Sequence, residues 1–253
     1  MTSNTTFAKK GDTVTLRSKA NVGYISATPT IKDKNVKAVT VVKNANGTYS
    51  FTMPEGSVTV TGSYMTPAQM FSDVDDSKWY RNDLAFAVEH GLISGYNGKF
   101  DPSTALTRGM MVTLLYNLEV SLEGKPTAPS AAFNDVQAGQ YYTDAVAWAS
   151  YNGIVEGYNN SFNPNGVLDR QQMATILYNY AAYKGYNVSG SADLSGYTDA
   201  GLIVSWALAG MRWANSAGIV TGTNSALNPT GTSDRTQGAV LLAKFCREVV
   251  GME

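Results

Sequence analysis

This chain of 253 residues has one cysteine, one histidine and little charge, and each shortage removes a class of function. A single cysteine, Cys246, excludes an internal disulfide. It lies in LLAKFCREVV, an amphipathic helical run, where the spacing predicts a small buried or half-buried residue rather than a reactive thiol. With His90 as the sole histidine, neither a metal cluster nor a histidine-based triad is expected. Charged residues make up 15% of the chain and the formal net charge is −1, so there is no basic stripe for nucleic acid. No apolar run approaches the roughly 20 residues a membrane-crossing helix needs. The N-terminal MTSNTTFAKKGDT has no apolar core of a signal peptide, so the chain is expected either to be cytosolic or to begin after export. Phosphate loops, nucleophile elbows and HExxH motifs are missing. A glycosidase needs two carboxylates across a groove, yet Asp101 aligns with Asn163 in the repeats described below, so that column keeps no carboxylate. No catalytic residue, cofactor or metal is therefore expected.

What is plentiful is hydrophobic residues, at 43%, and Gly, Asn, Thr, Ser and Tyr. The length and apolar content suit an ordinary folded protein with more than one core. A surface polar by hydroxyl and amide suits a secreted protein that works against carbohydrate.

Residues 1–66 read as a small all-β module. Tyr49, Phe51 and Met53 alternate with Ser50 and Thr52, and Val58, Val60 and Tyr64 alternate with Thr59, Thr61 and Ser63. This period of two predicts half-buried strands. Asn46-Gly47 and Pro54-Glu55-Gly56 are turn signals, and Thr13–Leu16 and Val39–Val42 are also β-rich. GDTVTL, Gly23-Tyr24 and YSFTMPEGSVTVTGSY resemble the divergent internalin-B-type repeat modules of bacterial surface proteins. Those modules carry a further strand before GDTVTL, so the resemblance implies a piece cut from a longer surface protein, with the module as a spacer.

From Pro67 the apolar spacing becomes helical and the sequence repeats. Residues 71–118 align without a gap on 133–180 at an offset of 62, pairing Phe71 with Phe133, Gly95 with Gly157, Pro102 with Pro164 and Arg108 with Arg170. A third copy over about 197–247 supplies Trp206, Trp213, Gly218, Gly222, Pro229 and Arg235, and its Tyr197-Thr198-Asp199-Ala200 start needs one extra residue to align. Each copy reads as helix, loop, helix. The first helix is predicted over about 80–90 with Gly91 as its C′ residue. The second begins at Thr107, Asp169 or Asp234, all good N-caps. Its stripe is Met111, Leu114, Leu115 and Leu118, then Met173, Ile176, Leu177 and Tyr180, then Leu241, Leu242 and Phe245. Phe86, Trp148 and Trp213 form a second aligned column, read as core. Two short helices cannot bury such a stripe alone, so an all-α pseudo-threefold bundle with one shared core is expected.

Phe71-x-Asp73-Val74, Trp79, Gly91-Leu92-Ile93-x-Gly95, Phe100-x-Pro102 and Thr107-Arg108, with their counterparts, resemble the S-layer homology domain over roughly residues 68–250. The resulting division is repeat one over 67–125, repeat two over 126–188 and repeat three over 189–253. The resemblance implies an exported, extracellular protein at the bacterial cell wall or cell surface. Its partner would be a secondary cell-wall polysaccharide or peptidoglycan-linked glycan, acidic through a pyruvate ketal, held in grooves between neighbouring repeats. The family's Thr-Arg-Ala-Glu motif becomes Thr107-Arg108-Gly109-Met110, Asp169-Arg170-Gln171-Gln172 and Asp234-Arg235-Thr236-Gln237, keeping the arginine and losing the glutamate each time.

Arg108, Arg170 and Arg235 each fall at the first position of a helix, where the macrodipole disfavours a cation. An anionic ligand would repair this, since free N–H groups and a guanidinium are expected to converge on one spot. A salt bridge to Asp73 or an equivalent aspartate, or to the N-cap aspartates, would do so as well. Trp79, Tyr141 and Trp206 are placed either to stack on a sugar or to pack against the first helix. Asp73, Asp135 and Asp199 suit tying a loop to backbone amides, and the resemblance counts them among the glycan-binding residues. Gly95, Gly157 and Gly222 either bring backbone close to a sugar or permit a positive φ. Asp73, Asp75 and Asp76 lack the spacing of a calcium loop and read as a solvated acidic turn. The uneven third copy predicts unequal sites. Two competing readings are a protein-interaction or lattice-forming scaffold that self-associates, and the anchor region of a larger exported enzyme.

Overall fold

A computed structural model describes residues 1–44, 47–130 and 133–252. Asn46 of the expected Asn46-Gly47 turn and the end of the 125–132 linker lie outside the described residues. The chain divides into two compact units, one of Met1–Phe100 with Leu118–Gly124 and one of Asp101–Asn117 with Lys125–Glu253.

In the first unit the β-rich residues form antiparallel sheets. Strands β1 (Thr2–Ser3), β2 (Thr13–Arg17), β6 (Val42–Lys43) and β7 (Tyr49–Thr52) form one sheet in the order β1-β2-β7-β6. Strands β4 (Thr30–Asp33), β5 (Ala38–Val39) and β8 (Val58–Thr61) form a second in the order β5-β4-β8, and β3 (Ile25–Ser26) pairs with β9 (Tyr64–Met65). Alternation works as expected in β7, where Tyr49 and Phe51 enter a core with Val14, Leu16 and Ile31. In the next run it does not, because Val60 is 36% and Tyr64 45% exposed. Strand β8 is an edge strand, so only its half-buried Val58 packs against that core. The predicted Val39–Val42 strand is two strands in different sheets, broken at Thr40-Val41.

A one-turn helix, α1 (Pro67–Met70), carries a Thr66–Gln69 capping box, and α2 (Arg81–Glu89) follows. Glu89 accepts both the Ser26 amide and the Ser26 hydroxyl at 2.6 Å, and Arg81 lies 5.4 Å over the Tyr24 ring. The β-rich residues are thus bonded to α2 within one compact unit.

Helices α3 (Arg108–Glu123), α4 (Thr143–Tyr151), α5 (Arg170–Tyr183), α6 (Leu208–Ser216) and α7 (Arg235–Phe245) carry the rest, and Cys246–Val250 continue α7 as a π turn. The expected stripes on α3, α5 and α7 are all buried. In the second unit a run of aromatic contacts links five helices. Tyr116 meets Trp148 at 5.7 Å, Trp148 meets Tyr180 at 6.0 Å, Tyr180 meets Phe245 at 5.7 Å, and Phe245 meets Trp213 at 6.3 Å. Trp148 and Trp213 are buried as expected, whereas Phe86 is only half-buried, its ring against His90 at 4.1 Å. Cys246 is fully buried, and burial pushes its thiol up to about 12, so it is inert.

The segments just before α3, α5 and α7 are joined by a closed cycle of backbone hydrogen bonds. Leu106 N–H donates to Ser233 at 2.8 Å, Leu168 N–H to Leu106 at 3.0 Å, and Ser233 N–H to Leu168 at 3.4 Å. A second cycle runs one step on: Arg108 N–H donates to Gly166, Arg170 N–H to Gly231 and Arg235 N–H to Thr104, all at 2.9–3.0 Å.

Candidate functional site

The second cycle decides what the helix N-termini can do. Helix first turns leave N–H groups that need partners. Here Gly109 N–H donates to Pro164 at 2.8 Å and Met110 N–H to the Thr107 hydroxyl at 3.3 Å. Gln171 N–H likewise donates to Pro229 at 3.0 Å and Gln172 N–H to Asp169 at 2.8 Å. The expectation of free N–H groups waiting for an anion is therefore corrected. Backbone carbonyls and caps have already taken them, because each helix start is stitched to another segment. The prolines do more than shape a turn, since their carbonyls are the acceptors.

Two of the three missing glutamates also resolve, the exception being the first copy, where Met110 holds the position. Gln172 accepts the Asp169 N–H and Gln237 accepts the Asp234 N–H, each at 3.0 Å, completing capping boxes that glutamate or glutamine can close equally.

The arginine side chains grip backbone. Arg108 donates from Nε to the Phe162 carbonyl at 2.9 Å and from Nη2 to Glu156 at 2.8 Å. Arg170 repeats this with Leu227 at 2.9 Å and Thr221 at 3.3 Å. The peptide held by Arg108 is held from its other end by Asp135, whose Oδ1 accepts the Phe162 N–H at 2.8 Å while Oδ2 accepts that of Asn163 at 2.7 Å. Asp199 does the same for Leu227 at 2.8 Å and Asn228 at 2.7 Å. Asp73 accepts the Phe100 N–H at 2.8 Å. The one-residue shift of Asp199 in sequence is absorbed by 3-10 turns at Ala200–Leu202 and Ser205–Ala207, so its bonds match those of Asp135.

These arginines face the opposite aspartates electrostatically. Burial pulls the Arg108 and Arg170 guanidinium values down, with Asp135 and Asp199 opposing. Both arginines stay cationic, because guanidinium does not deprotonate in proteins. The Leu227 amide holds the Asp199 carboxyl below the usual carboxylate range. Burial would raise Asp135, but the Phe162 and Asn163 amides outweigh it. Arg108 and Arg170 keep Nη1 without a hydrogen-bond partner among the described residues. The N-cap of α7 is Asp234, and Arg235 follows it.

Gly95, Gly157 and Gly222 do not have positive φ. A Cβ there would collide with the rings of Phe71, Phe133 and Tyr197 and with the carbonyls of Lys99, Ser161 and Ala226. The close approach is to the protein's own aromatic ring. Positive φ is needed instead at Asp101, Asn163 and Asn228, directly after the gripped peptides. Asp and Asn tolerate that conformation better than other side chains, which explains why the column alternates between acid and amide. The same column that shows no shared carboxylate thus carries a second signal in the sequence, the short polar side chains that a positive φ favours.

Trp79, Tyr141 and Trp206 occupy one equivalent place, directly before the N-cap residues Tyr80, Tyr142 and Ala207 of α2, α4 and α6. They are 66%, 60% and 56% exposed, so packing against the first helix does not bury them. In the acidic turn Asp75 pairs with Lys78 at 3.8 Å and Asp76 with Arg81 at 3.5 Å. Among the described residues no cluster could hold a metal ion, and no helix is long and apolar enough to cross a membrane.

Residues 71–110 and 132–174, which hold two of these aspartate-and-loop arrangements, both match one family model. The match is to the S-layer homology domain. The Surface-layer 125 kDa protein of Lysinibacillus sphaericus is 28% identical over 210 residues, covering 79% of this chain and 17% of that protein. S-layer protein sap of Bacillus anthracis is 29% identical over 202 residues, covering 78% and 23%. Exoglucanase XynX of Acetivibrio thermocellus is 24% identical over 218 residues, covering 83% and 19%. The chain thus spans less than a quarter of each of these relatives. The S-layer homology segments and surface-layer relatives mark a repeat-containing, cell-wall-associated extracellular protein of the cell surface.

Proposed function

We propose that this chain is a non-catalytic cell-wall anchor built from three S-layer homology repeats, over 67–125, 126–188 and 189–253, behind an internalin-B-type β spacer over 1–66. It binds an acidic, pyruvylated secondary cell-wall polysaccharide. The observation that carries the reading is the exposed aromatic at one equivalent position in each helix pair, Trp79, Tyr141 and Trp206. An aromatic face open to solvent stacks on a sugar ring, and the arginine Nη1 groups of Arg108 and Arg170 offer a charge-assisted bond to a carboxylate. Arg235, the first residue of α7, is the third of these arginines by position. Asp73, Asp135, Asp199, Gly95, Gly157 and Gly222 shape the loops that present these groups. Within the second unit, two cycles of backbone bonds join the segments that start α3, α5 and α7, which supports a threefold relation among those three helix starts.

Sedimentation with purified cell-wall glycan, before and after removal of ketal pyruvate, tests the reading. Binding should fall at least about tenfold on removal, the size of one lost charge-assisted bond. Equal binding to both preparations would reject the carboxylate contact, and no binding to either would reject the anchor. The likeness to Exoglucanase XynX favours a second reading, in which the anchor belongs to a larger exported enzyme. Sequencing the full gene decides between them.

A further inference from the structure

A cavity of about 340 Å³ beside α4 has no part in that reading. Its wall includes Tyr116 of α3, Lys125 and Ser130 of the linker, and Asp144 and Ala147 of α4. The equivalent tryptophan one repeat later shows what is missing. There the Trp213 indole N–H donates to the Asn187 carbonyl of its linker at 3.2 Å. Trp148 meets Tyr116 at 5.7 Å and 71°, as Trp213 meets Tyr178 at 5.7 Å and 68°. Yet the Trp148 indole N–H and the Tyr116 hydroxyl are both buried and lack any partner among the described residues. Of these two groups Tyr116 is the one that lines the cavity, and a buried polar group without a partner is unfavourable, so its hydroxyl marks a place where something else bonds.

Lys125 and Asp144 form a 2.9 Å ion pair on the cavity wall, with side chains 70% and 64% exposed. An exposed pair of this kind is weak and opens readily. The Tyr116 hydroxyl senses both members: burial pushes it up, Lys125 draws it back and Asp144 adds to the rise. Tyr116, Lys125 and Asp144 line the same cavity, so one guest can meet all three. The wall carries one charge of each sign, small apolar side chains at Ala128, Val136 and Ala147, and the hydroxyl of Ser130. A guest of net charge would gain from one member and lose to the other. A ring with one apolar face and neighbouring hydroxyls satisfies all of them. At the small end of ligand pockets, the volume suits a single ring.

We propose that this cavity is a binding site for one neutral sugar ring, held by Lys125, Asp144 and the Tyr116 hydroxyl. It is separate from the exposed aromatics and does not rest on the anchoring reading. Chemical-shift titration of the whole chain with glucose and N-acetylglucosamine, and with glucuronate as the acidic comparison, tests it. Saturable binding of a neutral sugar, with a Kd on the order of millimolar, is expected for a ligand of this size. Tyr116→Phe and Asp144→Asn should each weaken it about tenfold, the loss of one hydrogen bond to a polar or charged group. Tyr116→Phe removes only an unpartnered hydroxyl, so its thermal midpoint should hold or rise. Trp79→Ala and Trp206→Ala should leave this affinity unchanged while weakening retention on cell-wall glycan. No saturation by either neutral sugar, tighter binding of glucuronate, or wild-type affinity in both cavity variants would overturn the proposal.

Discussion

The second helix pair, 133–183, and the third, 197–245, hold the same backbone grip with different side chains around it. Asp135 and Asp199 make matching pairs of bonds, although one is displaced in sequence and the other is not. The peptide gripped by Arg108 belongs to Phe162, whose ring lies 4.6 Å from the guanidinium, whereas Arg170 grips Leu227 and has no such ring. Trp148 has an orphaned indole N–H and Trp213 a bonded one. Leu168 in the first cycle of backbone bonds is replaced by Ser233. What is held constant is the set of bonds between backbone and short polar side chains. The surroundings of the gripped loop change from Phe162 to Leu227 while the buried tryptophans stay, so the repeat is defined by its loop geometry and buried core more than by its surface.

The largest test of that comparison lies in the core. Trp148→Ala and Trp213→Ala should each lower unfolding free energy by about 3–5 kcal/mol, since both side chains are fully buried. The phenylalanine variants sharpen the contrast. Trp213→Phe also loses the bond to Asn187, so it should cost about 1 kcal/mol more than Trp148→Phe. Urea denaturation measures both, and equal costs would show that the linker bond contributes nothing.

Next come the glycines. Gly157→Ala and Gly222→Ala force a Cβ into a ring and a carbonyl, and should each cost about 1–3 kcal/mol or more. Gly153→Ala meets no atom within 4 Å but sits at φ +68, so it should cost only about 1 kcal/mol. Thermal midpoints in that order support close packing as the reason for the first two. A larger loss at Gly153 would contradict it.

The grip itself can be titrated. The folded-state values of Asp135 and Asp199 lie below the usual carboxylate range. Their stabilisation is thus fully present above the unfolded value of about 3.9 and is lost as pH falls through the lower folded value. Asp199→Asn has one acceptor oxygen for two N–H donors, and should cost about 1–3 kcal/mol at neutral pH. Below about pH 4 the gap between variant and wild type should narrow. Calorimetric midpoints across that range check it, and a gap constant with pH would mean the charge has no part.

Much of this fold was legible because the chain repeats. Helix limits, N-caps and buried stripes could each be checked against another copy, and the Asp169 and Asp234 caps and the stripes of α3, α5 and α7 appear where the spacing put them, while Phe86 of the second column is only half-buried. The β-rich residues offer no second copy, and there alternation alone places Val60 and Tyr64 half-buried although both are exposed, because it does not reveal which strand lies at an edge. At the arginines the sequence showed a cation at a helix start but not the carbonyls around it. Those come from segments about 50 residues away, such as Phe162 for Arg108, and no local pattern announces them. The Asp101, Asn163 and Asn228 column was a readable sign of positive φ, because only short polar side chains recur there.

The smallest expected effect concerns Ser233, where the comparison of the two helix pairs turns on one hydroxyl. Its side chain is 2% exposed and its Oγ has no partner among the described residues, while its backbone closes the cycle with Leu106 and Leu168. Ser233→Ala keeps those backbone bonds and removes the unpaired group. The change should raise unfolding free energy by up to about 1 kcal/mol, read as a small upward shift of the thermal midpoint. A loss instead would mean that the hydroxyl finds a partner in solution, and that the third segment is held by a side-chain bond its Leu168 counterpart cannot make.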